Sequence, residues 1–223
     1  MRILRLRRLE FCGLALVMVA TAILLAACSK APATNGSTST VVTKASKTLD
    51  NLQTAFNGES NAKARYLAFA QKAESEGYGK VASLFRAAAK AEDIHANNHA
   101  EVIRKLGATP IADVKTPEVN STTDNLQAAI KGESYERDTM YPDFLKQARD
   151  DGNKDAVRTF NLAKEAEAEH AKLYTEASSN LAAWKTTVQP FYVCPSCGYT
   201  TGTLNFAKCP VDFTPKEKFI AVS

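Results

Sequence analysis

The chain has 223 residues, with 28 Lys and Arg against 24 Asp and Glu, three His and five Cys, and 45% of its residues are hydrophobic. That excludes a collagenous or globally disordered chain and leaves room for one or two domains with a real core. A net charge of +4 bears on nucleic-acid or membrane binding only if the basic residues lie in the folded part, and an odd number of cysteines fits neither a disulfide framework nor a four-thiolate metal site.

The chain opens with Arg2, Arg5, Arg7 and Arg8, followed by 17 uncharged residues from Phe11 to Ala27, the basic and apolar regions of a secretory signal. The run closes on Leu25-Ala26-Ala27-Cys28, which resembles the lipobox of bacterial lipoproteins. That resemblance implies removal of residues 1–27, lipidation of Cys28, and an extracytoplasmic, membrane-anchored protein, on the periplasmic side in a Gram-negative cell. The competing reading is an uncleaved transmembrane anchor, for which the run, interrupted by Gly13 and Thr21, is short. Residues 28–46, rich in Ser, Thr, Ala and Lys, read as a flexible tether. Without the leader's four arginines and Glu10, 24 basic side chains face 23 acidic ones, which leaves no case for nucleic acid. Cys12 leaves with the leader, so three cysteines remain in the folded part, all beyond residue 190.

The next segment repeats. TLDNLQTAFNGES (48–60) returns as TTDNLQAAIKGES (122–134), offset by 74; after one inserted residue the offset is 75, pairing Tyr66 with Tyr141, Gly77 with Gly152, Phe85 with Phe160, Glu92 with Glu167 and His95 with His170. Each half reads as two Ala-rich helices joined by a turn at Gly77-Tyr78-Gly79 or Asp151-Gly152-Asn153. Gly107 to Ser121, with Pro110 and Pro117, is a crossover. Two short turns and one long connection predict a mainly α chain: a ferritin-like four-helix bundle over 47–186, then a small module over 187–223.

On every helix the apolar stripe is interrupted by groups that do not belong in a core. Glu59 breaks Leu52-Ala55-Phe56 from Ala62-Tyr66-Phe69; Glu92 and His95 lie between Phe85-Ala88 and Val102-Ile103. Glu133 and Glu136 precede Met140-Tyr141-Phe144, and Glu167 and His170 separate Phe160-Ala163 from Tyr174-Ala177. An uncompensated buried carboxylate costs several kcal/mol or protonates, so five in one core require cations. Glu92-x-x-His95 and Glu167-x-x-His170 set a carboxylate and an imidazole one turn apart, and Glu59 and Glu133 complete a dinuclear site. His99, matched by Tyr174 in the repeat, reads as a core or supporting residue. Tyr66 and Tyr141, two turns beyond Glu59 and Glu133, either hydrogen-bond a carboxylate or bound oxygen species or merely fill the core.

GES followed by Arg65-Tyr66, EDIH, GESYE with MYPDF, and EAEH together resemble rubrerythrin, and the likeness runs over nearly all of residues 48–223. The resemblance implies a centre of two iron ions that reduces hydrogen peroxide to water in oxidative-stress defence, with Glu136 as the distinguishing carboxylate and a seventh ligand beside Glu59, Glu92, His95, Glu133, Glu167 and His170, and with Glu136, Tyr66 and Tyr141 as the catalytic residues. It implies that one iron exchanges a Glu for a His ligand as its oxidation state changes, His95 or Glu136 being the mover. It also implies head-to-tail homodimers in which the small domain of one subunit meets the diiron site of another. Five carboxylate charges lie between the +4 of two ferrous ions and the +6 of two ferric ions, so such a site tolerates both states.

After Trp184 the helical pattern ends. Cys194-Pro195-Ser196-Cys197-Gly198 and Cys209-Pro210-Val211-Asp212-Phe213 resemble the paired knuckles of rubredoxin, with Asp212 at the fourth position. Cys194, Cys197, Cys209 and Asp212 are expected to hold one Fe or Zn; a Cys194–Cys197 disulfide outside the cytoplasm is the alternative. The leading expectation is a membrane-tethered peroxidase that takes electrons from an unidentified donor through this knuckle. The rival is an iron-binding or ferroxidase protein whose knuckle is structural zinc.

Overall fold

The computed structural model describes residues 46–185 and 188–223. The leader, Cys28 and all of the tether but its last residue lie outside the described residues. Helix α1 (Lys47–Ser75) begins where the Ser46 hydroxyl accepts from the Leu49 amide, and Gly77, at φ +80°, turns the chain into α2 (Gly79–Lys105). An extended crossover leads to α3 (Thr122–Tyr135), which runs through a π-helical turn (Glu136–Met140) into α4 (Tyr141–Asp150) as one rod. Gly152, at φ +67°, and the Asn153 cap open α5 (Lys154–Ser179). These are the four rods and two hairpins expected.

The π turn is the structural form of the inserted residue. Glu59 to Tyr66 spans seven positions and Glu133 to Tyr141 eight. One extra residue in an α-helix would swing Tyr141 about 100° off the buried face. The wider turn absorbs that residue, and Tyr141 is fully buried like Tyr66.

Each hairpin turn also caps the start of the other hairpin. Thr122 N donates to Glu76 Oε2 (2.9 Å), and Thr48 N and Oγ1 donate to Asp151 Oδ2 (3.2 and 2.6 Å). A carboxylate at a helix start meets amides that lack helical partners and the positive end of the helix dipole.

Besides a small cluster around the three C-terminal cysteines, the apolar core among the described residues falls into two clusters. One gathers Tyr66, Phe69, Leu84, Phe85, Leu126 and Tyr174; the other Leu52, Ile103, Tyr141, Leu145 and Phe160. On every rod the stripe-breaking acids and imidazoles lie between these two sets. A 3₁₀ turn (Leu181–Trp184) then leads to a small antiparallel sheet, order β2-β1-β3, formed by β1 (Phe191–Val193), β2 (Thr200–Thr201) and β3 (Ile220–Val222). Trp184 stacks on Phe191 with centroids 6.0 Å apart, joining sheet to bundle. Among the described residues no helix is long and apolar enough to cross a membrane.

Candidate metal centre

Two overlapping ligand sets occupy the bundle centre: Glu59, Glu92, His95 and Glu167, and Glu92, Glu133, Glu167 and His170. Within each set the ligand atoms all lie within 4.8 Å of one another, and all six side chains are buried. Glu92 and Glu167 belong to both sets. If two ions are bound, Glu59 with His95 would serve one and Glu133 with His170 the other, with Glu92 and Glu167 shared.

Hydrogen-bond chemistry tests whether cations fit. His95 Nε2 lies 2.9 Å from the Cys197 carbonyl, which can only accept, so Nε2 carries the proton. The other nitrogen, Nδ1, faces Glu92 Oε2 at 3.0 Å and Glu167 Oε1 at 2.9 Å. His170 Nδ1 lies 2.8 Å from Glu167 Oε2 without hydrogen-bond geometry. Glu59 Oε2, Glu92 Oε1, Glu133 Oε2 and both Glu167 oxygens are buried with no protein partner. Orphaned acceptors converging at this spacing satisfy one another only through shared positive charge. Carboxylate with imidazole suits iron in both common oxidation states, so the residues fit the group.

The ionisation pattern agrees. Burial, then the charges of Glu167, Glu133 and Glu59, raise Glu92 well above the carboxylate range, and burial with Glu167 pushes Glu133 up to about 7. Burial would raise Glu167 too, but His95 and His170 hold it well below that range. Burial disfavours charge on both imidazoles, yet their carboxylate neighbours raise them well above the usual histidine value. Carboxylates and imidazoles this close perturb one another's charge, and two metal ions would relieve the repulsion among the carboxylates.

Both tyrosines reach the carboxylates, and they cross between repeats to do so. Tyr66 Oη donates to Glu133 Oε1 (2.6 Å), and Tyr141 Oη donates to Glu59 Oε1. His99 stays outside both ligand sets; its Nε2 lies 3.1 Å from Tyr141 Oη and its Nδ1 3.0 Å from Thr159 Oγ1. Glu136, on the π turn, is half-buried and lies outside both four-residue sets. Burial and the charges of Glu59, Glu133, Glu167 and Glu92 raise its carboxyl well above the usual range.

At the C-terminal knuckle Cys194, Cys197 and Cys209 are unbridged thiols, and with Asp212 they form a third set within 4.8 Å. Cys197 Sγ to Cys209 Sγ is 3.6 Å, and Cys194 Sγ to Asp212 Oδ1 is 3.5 Å. The edge of a zinc or iron thiolate tetrahedron is about 3.8 Å, somewhat shorter toward oxygen, so the set has the right size. The two knuckles match bond for bond. Cys194 N donates to Tyr199 O and Gly198 N to Cys194 O; Cys209 N donates to Thr214 O and Phe213 N to Cys209 O. Asp212 therefore stands in Cys197's place, and Phe213 at φ +63° in that of Gly198 at +78°. A bulky residue accepting the left-handed conformation shows that the turn is imposed at a cost. Thr214 N and Oγ1 orient Asp212 by donating to its two oxygens at 3.0 and 2.9 Å.

The knuckle sits on the metal cluster of its own chain. Besides the His95–Cys197 contact, Asn98 Nδ2 donates to Ser196 O (2.9 Å), and His170 Nε2 lies 3.0 Å from Thr200 Oγ1. A Cβ on Gly198 would stand 2.3 Å from His95 Nε2, so the backbone packs directly on the imidazole.

A profile described as Rubrerythrin matches residues 50–178 of the chain. The chain is 40% identical over 181 residues to Rubrerythrin-2 of Clostridium acetobutylicum, covering 80% of this chain and 98% of that one. The chain belongs to the rubrerythrin family. It is also 39% identical over 180 residues to Nigerythrin of Nitratidesulfovibrio vulgaris, covering 80% of this chain and 88% of that one. A solved structure of nigerythrin in its fully reduced, all-ferrous state superposes with a TM-score of 0.73 at 36% identity, covering 88% of this chain and all of that one. Within this rubrerythrin fold, six of the seven side chains expected at the bundle centre fall into the two four-residue sets, and Glu136 does not. Spacing gave no sign of Gly198 and Thr200, which touch the imidazoles from the knuckle side; only the close sequence CGYT after the second cysteine marks them.

Proposed function

We propose that the chain is a non-haem diiron peroxidase that reduces hydrogen peroxide to two waters, consuming two electrons and two protons, in defence against oxidative stress. The observation that carries the reading is the His95–Cys197 contact. Cys197 offers its sulfur to the knuckle set and its carbonyl to a cluster imidazole, so a single residue bridges the two metal positions. Two iron ions held by Glu59, Glu92, His95, Glu133, Glu167 and His170 would supply the electron pair that cleaves the O–O bond. Tyr66 and Tyr141 fix the terminal carboxylates by donating to Glu133 and Glu59, and the two apolar clusters keep bulk water away. Glu136, half-buried on the π turn and close enough to the cluster to feel its carboxylates, would serve as the further carboxylate of the site. Cys194, Cys197, Cys209 and Asp212 would hold one iron, which would supply the electron relay from an external donor. The protein works as a homodimer, lipidated at Cys28 and anchored to a membrane outside the cytoplasm.

Asp212 supports a second reading. A hard carboxylate in place of a soft thiolate favours zinc and weakens a pure electron-transfer role, which would leave an iron-binding or ferroxidase protein with a structural zinc knuckle. Anaerobic reduction, one addition of peroxide or oxygen, and optical detection of iron oxidation separate the two. Oxidation much faster with peroxide supports the peroxidase, and the reverse overturns it. Metal analysis assigns iron or zinc at each site, and Asp212→Cys with unchanged metal content and redox behaviour would show that Asp212 is no ligand.

A further inference from the structure

We propose that Thr200 is a positioning residue for the metal cluster: its hydroxyl selects the His170 tautomer, and with the Cys197 carbonyl it lets one knuckle segment orient both imidazole ligands. The inference rests on the bundle cluster binding metal. His170 and Thr200 are both fully buried. The outward nitrogen of His170, Nε2, meets Thr200 Oγ1 at 3.0 Å, while Nδ1 faces Glu167, Glu92 and Glu133. Thr200 has one hydroxyl proton, and it goes to the Gly198 carbonyl at 3.0 Å. Its oxygen is therefore left to accept, His170 Nε2 must donate, and the Nδ1 lone pair is free to face a cation.

The same logic holds three residues earlier, where the Cys197 carbonyl accepts from His95 Nε2 at 2.9 Å. Cys197 to Thr200 is thus one segment with a cap at each end, one for each terminal imidazole. Its shape is set from within the knuckle. Gly198 N donates to Cys194 O, Cys194 N donates to Tyr199 O, and Thr200 pairs with Val193 across β1 and β2. Thr200 suits the task because its branched Cβ restricts χ1 and holds the hydroxyl in one direction. Partners on the far side of a ligand imidazole fix ring and tautomer, and losing one typically costs about 10–100-fold in metal affinity.

The test uses the full chain. Thr200→Val keeps the shape and removes the acceptor; Thr200→Ser keeps the acceptor. Anaerobic ferrous titration against a competing chelator reads affinity at the bundle site. Nitrogen NMR of the protein with the bundle free of metal, at a pH high enough for His170 to be neutral, reads the His170 tautomer, and zinc or iron content of the knuckle is followed in parallel. The expected result is about 10–100-fold weaker binding in Thr200→Val, with the His170 proton moved from Nε2 and the knuckle metal retained, and wild-type affinity and tautomer in Thr200→Ser. Wild-type affinity and tautomer in Thr200→Val overturn the inference alone. Equal losses in both variants, or loss of knuckle metal in Thr200→Val, also count against it, because the module's fold and not the hydroxyl would then be responsible. A wild-type chain that binds no metal in the bundle overturns the metal-centre reading and this inference with it.

Discussion

Gly198→Ala tests the docking of the knuckle most directly. At φ +78° an L side chain costs about 1–2 kcal/mol. The added methyl would lie 2.3 Å from His95 Nε2 and 3.0 and 3.1 Å from the adjoining ring carbons. The ring cannot retreat, since its other edge is held among Glu92 and Glu167. Relief to an ordinary contact of about 3.5 Å therefore moves the knuckle outward by about 1 Å. That stretches the 2.9 Å His95–Cys197 hydrogen bond beyond useful range and leaves a buried donor unpaired, at about 1–3 kcal/mol. The sum is about 2–5 kcal/mol. Urea unfolding of the metal-loaded protein measures it, with Gly58→Ala in α1 as the control of opposite sign. A Cβ there meets nothing within 4 Å, so alanine should stabilise the helix by up to about 1 kcal/mol. A Gly198→Ala protein as stable as wild type, with unchanged electron transfer from knuckle to cluster, would refute the close packing of knuckle on imidazole.

Phe213→Gly should stabilise the protein by about 1 kcal/mol, because it relieves a left-handed φ of +63° while the ring, 71% exposed, contributes little burial; thermal unfolding checks it. The bonds from Thr122 and Lys72 hold Glu76 down at about 2, so its contribution to stability is full above pH 4.5 and disappears as pH falls through 2. Glu76→Gln should accordingly cost about 1 kcal/mol at neutral pH, allowing for solvent screening, and nothing near pH 2, as read from urea midpoints across that range. Tyr141→Phe removes the donor to Glu59 and a partner of His99, and should lower peroxide turnover about 10–100-fold with the helical signal unchanged.

The bundle was legible because burial has a period. Glu59, Glu92, His95, Glu133, Glu167 and His170 stand at positions where a helix must face inward, and two copies of the pattern remove most accidents. The π turn was legible only as an arithmetic slip, the change of offset between Ser134 and Tyr141, because a one-residue insertion does not say which turn will widen. The crossing of Tyr66 to Glu133 and Tyr141 to Glu59 was hidden, since spacing along one helix says nothing about which neighbour a side chain meets. Contacts from the knuckle were hidden for the same reason: Thr200 and His170 are distant in sequence, and a lone threonine carries no signal. Asp212 was legible at the fourth ligand position from the spacing of the second knuckle, and the backbone hydrogen bonds there match those around Cys197.

The wide turn in the third rod has a consequence for how the two halves came to differ. Duplicating a hairpin yields two interchangeable ends, with equal carboxylates, equal imidazoles and no reason for one ion to behave differently from the other. One additional residue in the second copy breaks that equality. It sets Glu136, half-buried, on the π turn where the first copy has only Asn61 and Ala62, and still returns Tyr141 to the buried face. Two repeated halves thus became unequal through the smallest change of length a helix can absorb.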